Sequence, residues 1–403
     1  MNQKLKMTEV GWIPKDWEVK TIAQCTDVVT GATPSTAITS YWGGNIKWMN
    51  SGELNNKLIT DVAGRITEDG YNHSGTHMVP ENCVLIGLAG QGKTRGTAAY
   101  NLIPLCTNQS IASILPNEKE FHSLYLFHYI DSQYDALRLL SAGDGGRGGL
   151  NKQIILSLQF PLPPTSEQRR IAQVLSDTDS LIAFLSRTIK KKRLVKQGTM
   201  QELLTGNTRL KGFCEEWVEM ELREVCQITM GQSPDSRYYN TSKQGLPLIQ
   251  GNADIEKRKS IDRIYTTQIT KTCDTGDIIM SVRAPVGAVG IATRTSCIGR
   301  GACAMKCRNR FVYQWLMYQE DKWSSLSTGS TFDSINSDTL NKVRLMIPID
   351  ENEQIAIANI LTTMDDEIAA LEAERDKYIS IKQGMMQKLL TGEIRLPICQ
   401  TTE

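Results

Sequence analysis

Residues 167–210 read EQRRIAQVLSDTDSLIAFLSRTIKKKRLVKQGTMQELLTGNTRL, and residues 353–396 repeat this stretch as EQIAIANILTTMDDEIAALEAERDKYISIKQGMMQKLLTGEIRL. The offset is 186 residues from Glu167 to Glu353 and still 186 from Leu210 to Leu396, and about half of the positions are identical. Helical composition alone does not produce identity at that level. The chain therefore carries an internal repeat.

A weaker repeat precedes each copy. Trp17 and Pro34 match Trp217 and Pro234 at an offset of 200 residues. The chain is thus two copies of one plan, a variable region followed by a strongly repeated segment, and the second variable region is about 14 residues shorter. We delimit an N-terminal lead at 1–16, variable regions at 17–160 and 217–348, helical regions at 161–206 and 349–392, a connector at 207–216 and a C-terminal tail at 393–403.

Length and composition set loose bounds. At 403 residues the chain exceeds what one hydrophobic core usually holds, so we expect two or three domains. Its net charge of +1 excludes neither nucleic-acid nor protein partners. Ten cysteines occur without a Cys-x-x-Cys pair, which favours reduced thiols. Because the sequence has no signal peptide and no apolar run of about 20 residues, we expect a soluble cytoplasmic protein.

The repeated segments are predicted to form long helices. Their apolar residues recur at spacings that alternate between three and four, as in a coiled-coil seam. The predicted seam consists of Ile171, Leu175, Ile182, Leu185 and Ile189 in the first helix and Ile357, Leu361, Met364, Ile368 and Leu371 in the second. Gly206 and Gly392 stand where a left-handed residue would end each helix. At about 1.5 Å per residue, each helix would be roughly 55 Å long.

Charge predicts how the helices pair. The first helix has a basic cluster at 187–196, and the second has an acidic cluster that begins at 365. In an antiparallel pair with full overlap, residues 187–196 face 361–370, so that basic side chains meet acidic ones. In a parallel pair the same cluster would face a nearly neutral stretch. The alternative is that both clusters are merely solvated helix faces.

Gly198 and Gly384 interrupt the two helices at matching positions. A glycine inside a helix costs about 1 kcal/mol relative to alanine. Its presence in both copies predicts a close helix crossing at these positions. Gly→Leu at either position would test this prediction through the assembly that it disrupts.

The variable regions contain short β-like runs broken by Gly, Asn and Pro. These runs cover 79–86, 97–105, 111–115, 246–250, 277–282 and 289–292, and each region also has one predicted helix, at 123–140 and at 311–326. We therefore expect an α+β fold with two mixed α/β domains. These domains alternate with two long helices that pair as an antiparallel coiled coil, in a pseudo-twofold internal repeat.

Residues 87–94 read GLAGQGKT and match the phosphate-binding loop pattern G-x-x-x-x-G-K-[ST]. That motif requires a following helix, whose N-terminus holds the phosphates. Here residues 95–97 lead into another β-like run, and no convincing magnesium-binding strand follows. The context argues against a nucleotide site, and a P-loop NTPase remains only as an alternative.

Polar side chains in glycine-flanked loops are candidates for DNA contacts. Arg and Lys suit phosphates and the guanine edge, whereas Gln and Asn suit adenine. The candidates are Gln91, Lys93, Arg95, Gln109, Arg147 and Lys152 in the first copy and Gln250, Asn252, Arg283, Arg294 and Arg300 in the second. The alternative for each is an ordinary solvated loop residue.

Metal and catalytic motifs are weak. His73 and His77 lie four apart in a loop without acidic or cysteine neighbours, and Cys297, Cys303 and Cys307 lack a fourth zinc ligand. The sequence has no methyltransferase motif, no glycine loop for a methyl donor and no nucleophile elbow. We expect no bound metal and no catalytic residue on this chain.

Three motifs mark the first helical region, namely Pro161-Leu162-Pro163-Pro164, Glu167-Gln168-x-x-Ile171-Ala172-x-x-Leu175 and Lys196-Gln197-Gly198-x-Met200-x-x-Leu203-Leu204-Thr205-Gly206, with a similar copy at Pro348, Glu353–Ala358 and Lys382–Gly392. This pattern resembles the conserved region of the specificity subunit of type I restriction-modification systems. The resemblance covers the whole chain in architecture, as two target-recognition domains that alternate with two helices. The recognition domains match only through Trp17 and Trp217 and the pattern of strands and glycines, which says little about the DNA sequence they read.

The resemblance implies that each recognition domain binds one half of a bipartite, asymmetric DNA site and that the helices fix the spacer. It also implies that two modification subunits dock on the chain and methylate adenine with S-adenosylmethionine. Restriction subunits would add translocation and cleavage driven by ATP and magnesium. The chain itself would be non-catalytic and would hold no cofactor. Besides the NTPase, the other alternative is a coiled-coil protein scaffold that does not touch DNA.

Overall fold

The computed structural model describes residues 4–90, 92–140, 149–323 and 334–396. The chain divides into two compact units, residues 1–184 with 374–403 and residues 185–373. Each unit holds one variable region together with one half of each long helix. The boundaries drawn from the sequence separate the helices from the variable regions, whereas the compact units combine them.

The first unit contains two mixed sheets. Its strands are β1 (Leu5–Thr8), β2 (Gly11–Pro14), β3 (Glu18–Thr21), β4 (Val28–Thr30), β5 (Trp42–Met49), β6 (Leu58–Ile59), β7 (Arg65–Ile66), β8 (Met78–Val79), β9 (Val84–Gly87), β10 (Ala98–Asn101), β11 (Leu105–Thr107), β12 (Ile111–Ile114) and β13 (Gln159–Leu162). The larger sheet has the order β4-β12-β9-β10-β6 and the smaller one β7-β5-β11-β8, while β1 pairs with β2 and β13 with β3. Only β10–β6 and β11–β5 are parallel among these described pairs.

The helices of the first unit are short until the repeated segment begins. They are α1 (Ile22–Cys25), α2 (Glu68–Asn72), α3 (Ser123–Ser132), α4 (Tyr134–Leu140), α5 (Lys152–Ser157) and the first long helix α6 (Thr165–Leu204), with 3₁₀ turns at Thr39–Tyr41 and Ser51–Asn56. The helix predicted at 123–140 is thus two helices, because the chain leaves helical geometry at Gln133.

The second unit repeats this plan. Its strands are β14 (Trp217–Glu221), β15 (Cys226–Met230), β16 (Tyr239–Asn240), β17 (Leu246–Ile249), β18 (Ile255–Glu256), β19 (Lys259–Ser260), β20 (Tyr265–Thr266), β21 (Thr272–Cys273), β22 (Ile278–Ser281), β23 (Val289–Ile291), β24 (Ser296–Ile298), β25 (Ala302–Cys307) and β26 (Arg344–Pro348). The sheets have the orders β15-β25-β22-β23-β19-β18 and β16-β20-β17-β24-β21, and β14 pairs with β26. Its helices are α7 (Leu222–Val225), α8 (Phe311–Tyr318), α9 (Ser337–Asn341) and the second long helix α10 (Glu351–Leu389), with 3₁₀ turns at Ser236–Tyr238, Asn252–Asp254 and Glu320–Lys322.

A central strand in each unit is buried on both faces. In β9, Val84 and Ile86 pack into a core shared with α3, whereas Leu85 points into a second core. In β22, Ile278 and Met280 face one core, and the residue between them, Ile279, faces another. Because successive side chains of a strand point to opposite faces, each of these strands separates two hydrophobic cores.

The two long helices pair antiparallel, as the sequence predicted. In the second unit, Lys192 lies 2.5 Å from Glu367, and Arg193 pairs with Glu372. In the first unit, Lys382 lies 2.6 Å from Asp179. Within the second unit, the acidic partner moves back from Glu367 to Asp365 as the lysine advances from Lys192 to Lys196, which is the order of an antiparallel pair. The basic and acidic clusters therefore face each other, and they are not merely solvated faces.

The structure buries most of the predicted seam. The buried seam residues are Ile171, Leu175, Leu185, Ile189, Ile357, Leu361 and Ile368, and the half-buried ones are Ile182, Met364 and Leu371. The residues nearest each helix start also enter a globular core. Ile171 and Leu175 pack in one cluster with Trp17, and Ile357 and Leu361 pack in another with Phe311. The seam thus joins the helices to the domains as well as to each other.

The prediction of a close helix crossing at Gly198 and Gly384 is wrong. A Cβ atom built on either glycine meets no atom within 4 Å. Gly198 is exposed and Gly384 is only half-buried. The helices pair through the seam and through ion pairs, and both glycines lie beside open space.

Repeated residues at the helix ends form buried ion pairs. In the first unit, Arg395 binds both carboxylate oxygens of Glu167, whose Oε2 also accepts a hydrogen bond from Trp17 at 3.2 Å. In the second unit, Arg209 binds Glu353 through two hydrogen bonds of 2.7 Å. Both glutamates are almost fully buried. Each repeated glutamate therefore meets the repeated arginine of the other copy.

The expectation of reduced thiols is wrong for one pair. Cys226 and Cys307 form a disulfide with a Cα–Cα distance of 4.6 Å. They are directly opposite each other on β15 and β25, a register that their separation of 81 residues does not reveal. The other cysteines within the described ranges are free. In those same ranges, no helix combines the length and apolar character needed to cross a membrane.

Candidate nucleic-acid interface

A polar cavity of about 700 Å³ opens on the second unit. Four of the five DNA-contact candidates in the second copy line it, namely Gln250, Asn252, Arg283 and Arg300. The other lining residues are Ser233, Pro234, Ser236, Tyr239, Gly251, Ala284 and Gly301. These residues come from four separate loops, and no carboxylate is among them. The structure thus gathers sequence-distant polar side chains at one site.

Close backbone packing builds the cavity wall. A Cβ on Gly231 would lie 2.1 Å from the carbonyl oxygen of Gly299, and one on Gly301 would lie 2.1 Å from that of Gln250. Buried Asp254 accepts a 2.7 Å hydrogen bond from the Gln250 amide. The hydroxyl of Ser233 accepts another, at 3.1 Å, from the amide of Arg300. These contacts fix the loop backbones without using the side chains of Gln250 and Arg300.

Arg283 and Arg300 differ from the other arginines of this domain. Seven of the ten arginines between residues 217 and 348 have an acidic partner, namely Arg223, Arg237, Arg258, Arg263, Arg294, Arg308 and Arg344. Arg310 instead donates to the Gly276 carbonyl and lies over the Tyr313 ring. Arg283 and Arg300 are exposed, and within the described residues their guanidinium groups have neither an acid nor a carbonyl partner. Two cations that have no acidic partner in the described part of the chain therefore meet in one polar cavity.

Arg294 is not part of this site. Its guanidinium lies 3.4 Å from Asp262, whose carboxylate also accepts a hydrogen bond from the Tyr265 hydroxyl. The cavity lining does not include it. The prediction that Arg294 contacts DNA stays a prediction, and it concerns a position outside this cavity.

The first unit builds the same loop cluster with the same backbone hydrogen bonds. The amide of Asn108 donates to Met49 as that of Gly299 donates to Ile249. The amide of Leu88 likewise donates to Ser110, as that of Val282 donates to Gly301. A Cβ on Gly31 would lie 1.8 Å from the Thr107 carbonyl oxygen, so Gly31, like Gly231, is held against the backbone of this loop, although Thr107 lies one matching position before Gly299. These bonds define matching positions in the two units.

The first-copy candidates lie in different surroundings. Gln109 is exposed and accepts a 2.6 Å hydrogen bond from the Thr33 hydroxyl. Lys93 is exposed and Arg95 is half-buried on the loop after β9, and Lys152 is exposed in the first turn of α5. Gln91 and Arg147 lie outside the described residues. The structure groups Gln109 with the loop cluster by backbone equivalence, and it leaves Lys152 on a different element.

The stretch that resembles a phosphate-binding loop connects two antiparallel strands. Ile86 of β9 is opposite Ala98 of β10, and the Gly87 and Thr97 backbones are hydrogen-bonded across the loop. No helix begins after Thr94 in the described part of this loop. The amide array at a helix N-terminus that such a motif needs is missing there. The structure contradicts the NTPase alternative at this motif.

Two of the four histidines, His73 and His128, have structural partners. His73 stacks on Tyr41 and its Nδ1 lies 2.9 Å from the Asp69 carbonyl oxygen. Nε2 of buried His128 lies 3.0 Å from the Ser176 hydroxyl, and burial lowers its pKa to about 3. Across the described ranges, no group of three or more His, Cys, Asp or Glu side chains is placed to hold a metal ion.

Sequence reasoning missed Ser233, Ser236 and Tyr239 of the cavity lining. A signal for this segment was present, because Gly231 and Pro234 repeat Gly31 and Pro34 just before it. The repeat marked the loop as structurally constrained. It did not show that the loop packs beside Arg283 and Arg300, which are about 50 to 70 residues away in sequence.

The sequence model of the type I restriction modification DNA specificity domain matches residues 14–192 and 214–380. These two matches cover both variable regions and most of both long helices. The chain belongs to this specificity family. Membership explains the two-copy plan, because each copy is one specificity domain with its helix.

Two curated relatives match nearly the full length of the chain, and a third matches less than half of it. A specificity subunit of Methanocaldococcus jannaschii, named provisionally for the type I restriction enzyme MjaX, is 30% identical over 98% of this chain and 97% of its own. The MjaVIII specificity subunit of the same organism is 24% identical over 95% and 94% of the two chains. The EcoR124I/EcoR124II specificity subunit of Escherichia coli is 26% identical over 45% of each chain.

Solved structures share the fold of this specificity-family chain. The type I restriction-modification S subunit from M. genitalium aligns with a TM-score of 0.66 at 17% identity, covering 96% of this chain and 99% of its own. A chain from a structural study of assembly and conformational transition in a type I system aligns with a TM-score of 0.58 at 22% identity, covering 95% and 99%. These alignments confirm the predicted α+β fold with two recognition domains and paired helices.

Proposed function

We propose that this chain is the DNA sequence-specificity subunit of a type I restriction-modification complex. Each recognition domain reads one half of a bipartite, asymmetric DNA site, and the paired helices set the spacer between the halves. The observation that carries this proposal is the cavity with two arginines that have no acidic partner among the described residues, built on a loop scaffold that recurs in the other domain. Two copies of one scaffold with different side chains suit a site with two different halves.

The electrostatics of the cavity favour DNA as the ligand. Base edges in the major groove and phosphates present hydrogen-bond acceptors, and arginine supplies donors in a fixed planar array. Polar neighbours such as Gln250 and Asn252 add donors and acceptors at the same surface. An exposed arginine that is held by a carboxylate would have to break that pair to bind DNA, whereas Arg283 and Arg300 have no such pair among the described residues.

The partners and cofactors follow from the same proposal. Two modification subunits dock on the chain and methylate adenine with S-adenosylmethionine that they bind themselves. Restriction subunits contribute ATP- and magnesium-dependent translocation and cleavage. The chain is then a non-catalytic subunit whose mechanism is positioning, in which phosphate contacts set the register and base contacts specify the sequence. Its DNA target places it in the cytoplasm of its host.

A domain exchange tests the proposal. Residues 20–160 are replaced by the corresponding recognition domain of another family member, the modification subunits are co-expressed, and methylated adenines are mapped across the host genome. We expect one half of the methylated motif to change while the other half and the spacer stay the same. If both halves change, or neither does, the proposal is wrong.

A binding experiment separates this proposal from the protein scaffold alternative. The complex with modification subunits is titrated with duplex DNA that contains the mapped motif, at several salt concentrations. Specific binding that weakens steeply with salt is expected, because phosphate contacts release counterions. Absence of any salt-sensitive binding would favour a scaffold that does not touch DNA.

A further inference from the structure

The matching backbone positions of the two domains carry different side chains. The bonds that align Asn108 with Gly299 and Ser110 with Gly301 place Gln109 at the position of Arg300. The bond that aligns Leu88 with Val282 places Ala89 at the position of Arg283. The second domain thus has two arginines where the first has an amide and a methyl group.

These substitutions change which base edge each position can bind. A guanidinium can donate two hydrogen bonds to O6 and N7 of guanine, the base edge that offers two acceptors in the major groove. An amide can donate to N7 of adenine and accept from its N6 amino group. Gln109 keeps this capacity, because the hydroxyl of Thr33 occupies only one lone pair of its carbonyl oxygen.

The surroundings of the arginines also favour guanine. The cavity lining contains no carboxylate that could accept from the cytosine amino group, and both of its charges are positive. The amide of Arg300 is bound to Ser233, so the backbone from which its side chain projects is fixed. Arg283 lies in the loop after β22. The hydrogen bond that the Val282 amide donates to the Gly301 carbonyl joins this loop to the Arg300 loop. Two fixed loops thus present two guanidinium groups to one surface.

We propose that Arg300 and Gln109 occupy equivalent base-reading positions, with guanine read by Arg300 and adenine by Gln109, and that Arg283 reads a second guanine. The inference rests on the proposed function and adds the base identities. The half-site of the second domain therefore contains two guanines, and the half-site of the first domain has adenine at the position equivalent to Arg300.

The test begins with the wild-type complex. Methylated adenines are mapped in a host that carries the chain with its modification subunits, and the domain exchange described above assigns each half of the motif to a domain. We expect two guanines in the half assigned to the second domain. Fewer than two guanines there would overturn the inference, while the one-half response to the exchange would still support the proposed function.

Reciprocal substitutions then test the equivalent positions. Arg300→Gln should relax or change one guanine of the second half, with roughly a 10- to 100-fold loss of discrimination at that base and none in the first half. Gln109→Arg should alter one adenine of the first half only. Arg344→Gln is the matched control, because Arg344 is an exposed arginine of the same domain that is 2.8 Å from Glu219 and outside the cavity. The control should leave every base of the motif unchanged.

A phosphate contact would give a different result. If Arg300 binds only the backbone, Arg300→Gln lowers methylation evenly at all sites, reduces the salt dependence of binding and leaves the motif unchanged. That outcome overturns the inference. Methylation is also measured on a set of DNA substrates that keep the other half-site intact and carry each of the four bases at the altered position. Methylation of any of these substrates shows that the variant chain has folded.

Discussion

Nζ of Lys382 in the second long helix lies 2.6 Å from Oδ1 of Asp179 in the first. The repeat places Lys196 against Asp365 in the same relation, 186 residues removed for each partner. Both lysines begin the Lys-Gln-Gly motif, and both side chains are largely buried. The recurrence of lysine in this motif therefore has a structural reason, a partly desolvated charge pair that specifies how the two helices align.

Lys382→Met should destabilise the chain at neutral pH. Burial raises the pKa of Asp179 above its usual value, and Lys382 opposes that shift. Without the lysine the carboxylate is left half-buried and unpaired, which should lower the free energy of unfolding by about 2 kcal/mol. The deficit should shrink as the pH falls towards 4, since a carboxyl whose folded-state pKa is raised favours folding in its protonated form.

The control for Lys382→Met removes both charges. Asp179→Leu combined with Lys382→Met leaves no buried charge and should recover most of the lost stability, as measured by urea unfolding at pH 7 and pH 5. A double variant less stable than the single one would contradict this account.

His128→Gln should make the free energy of unfolding depend less on pH below pH 6.5. Gln314 is the residue 186 positions after His128. Its side-chain amide donates to the hydroxyl of Thr362, which is the residue 186 positions after Ser176, the partner of His128. Burial lowers the pKa of His128 to about 3. Below pH 6.5, His128 therefore binds a proton in the unfolded chain but stays neutral in the folded chain. Stability from this residue is present above pH 6.5 and is lost as the pH falls towards 3.

The measurement for His128→Gln is the unfolding free energy between pH 7 and pH 5. The wild type should lose about 1–2 kcal/mol more than the variant over this range, because each proton contributes up to about 1.4 kcal/mol per pH unit. Equal slopes for the two proteins would show that His128 is accessible to protons in the folded chain.

Arg395→Met should expose the cost of burying Glu167. This glutamate is 3% exposed, and its carboxylate accepts hydrogen bonds from Nε and Nη2 of Arg395. Loss of the cation should lower the free energy of unfolding by about 2–3 kcal/mol, with allowance for the partial exposure of Arg395. Adding Glu167→Gln removes the unpaired charge while it keeps an acceptor for Trp17, so thermal unfolding of the double variant should return towards the wild type.

Gly198→Ala and Gly384→Ala should each stabilise the chain. Both positions are inside helices and neither offers a clash, because a Cβ there meets open space. Alanine is favoured over glycine in a helix by about 1 kcal/mol. Chemical unfolding of the free chain should show this gain. If Gly→Leu at the same positions instead blocks assembly with modification subunits, the close approach that the glycines allow is made by a partner.

Gly31→Ala and Gly231→Ala form a matched pair for the recognition loops. Their Cβ atoms would lie 1.8 Å from the Thr107 carbonyl oxygen and 2.1 Å from that of Gly299, so the backbone must move. We expect each substitution to cost about 1–3 kcal/mol of stability. Gly231→Ala should impair recognition of the second half-site alone, and Gly31→Ala that of the first, in methylation assays with DNA that varies one half at a time.

The pairing of the two long helices shows which parts of the fold could be predicted from the sequence. The periodicity of Leu175 and Leu361 and the opposed charge clusters were enough to predict two long antiparallel helices, because helix pairing follows a short repeating pattern. The repeated Gly198 predicted a close helix crossing that the structure does not have, since a repeated glycine indicates a constraint without saying which neighbour imposes it. The Cys226–Cys307 disulfide was also missed, because strand register depends on long-range pairing.

The candidate DNA interface also separates what the sequence predicts from what only the fold decides. Arg283 and Arg300 were identified as candidates by residue type and loop context, and so was Arg294. Only the fold separates them, because Arg294 is held by Asp262 and the other two line the cavity without an acidic partner in the described chain. Residue type gives the capacity to bind, whereas the availability of a side chain depends on what the fold places beside it.

The sequence by itself determined the two-copy plan, the long helices and their antiparallel order, because these features arise from local periodicity and from a repeat at constant offset. The tertiary structure alone decided that Arg283 and Arg300 share one cavity and that Gln109 and Ala89 hold their positions in the other domain. Those relations join loops far apart in the chain through backbone hydrogen bonds. Backbone hydrogen bonds form between residues of any type, so the residue types of these loops do not reveal which loops are joined.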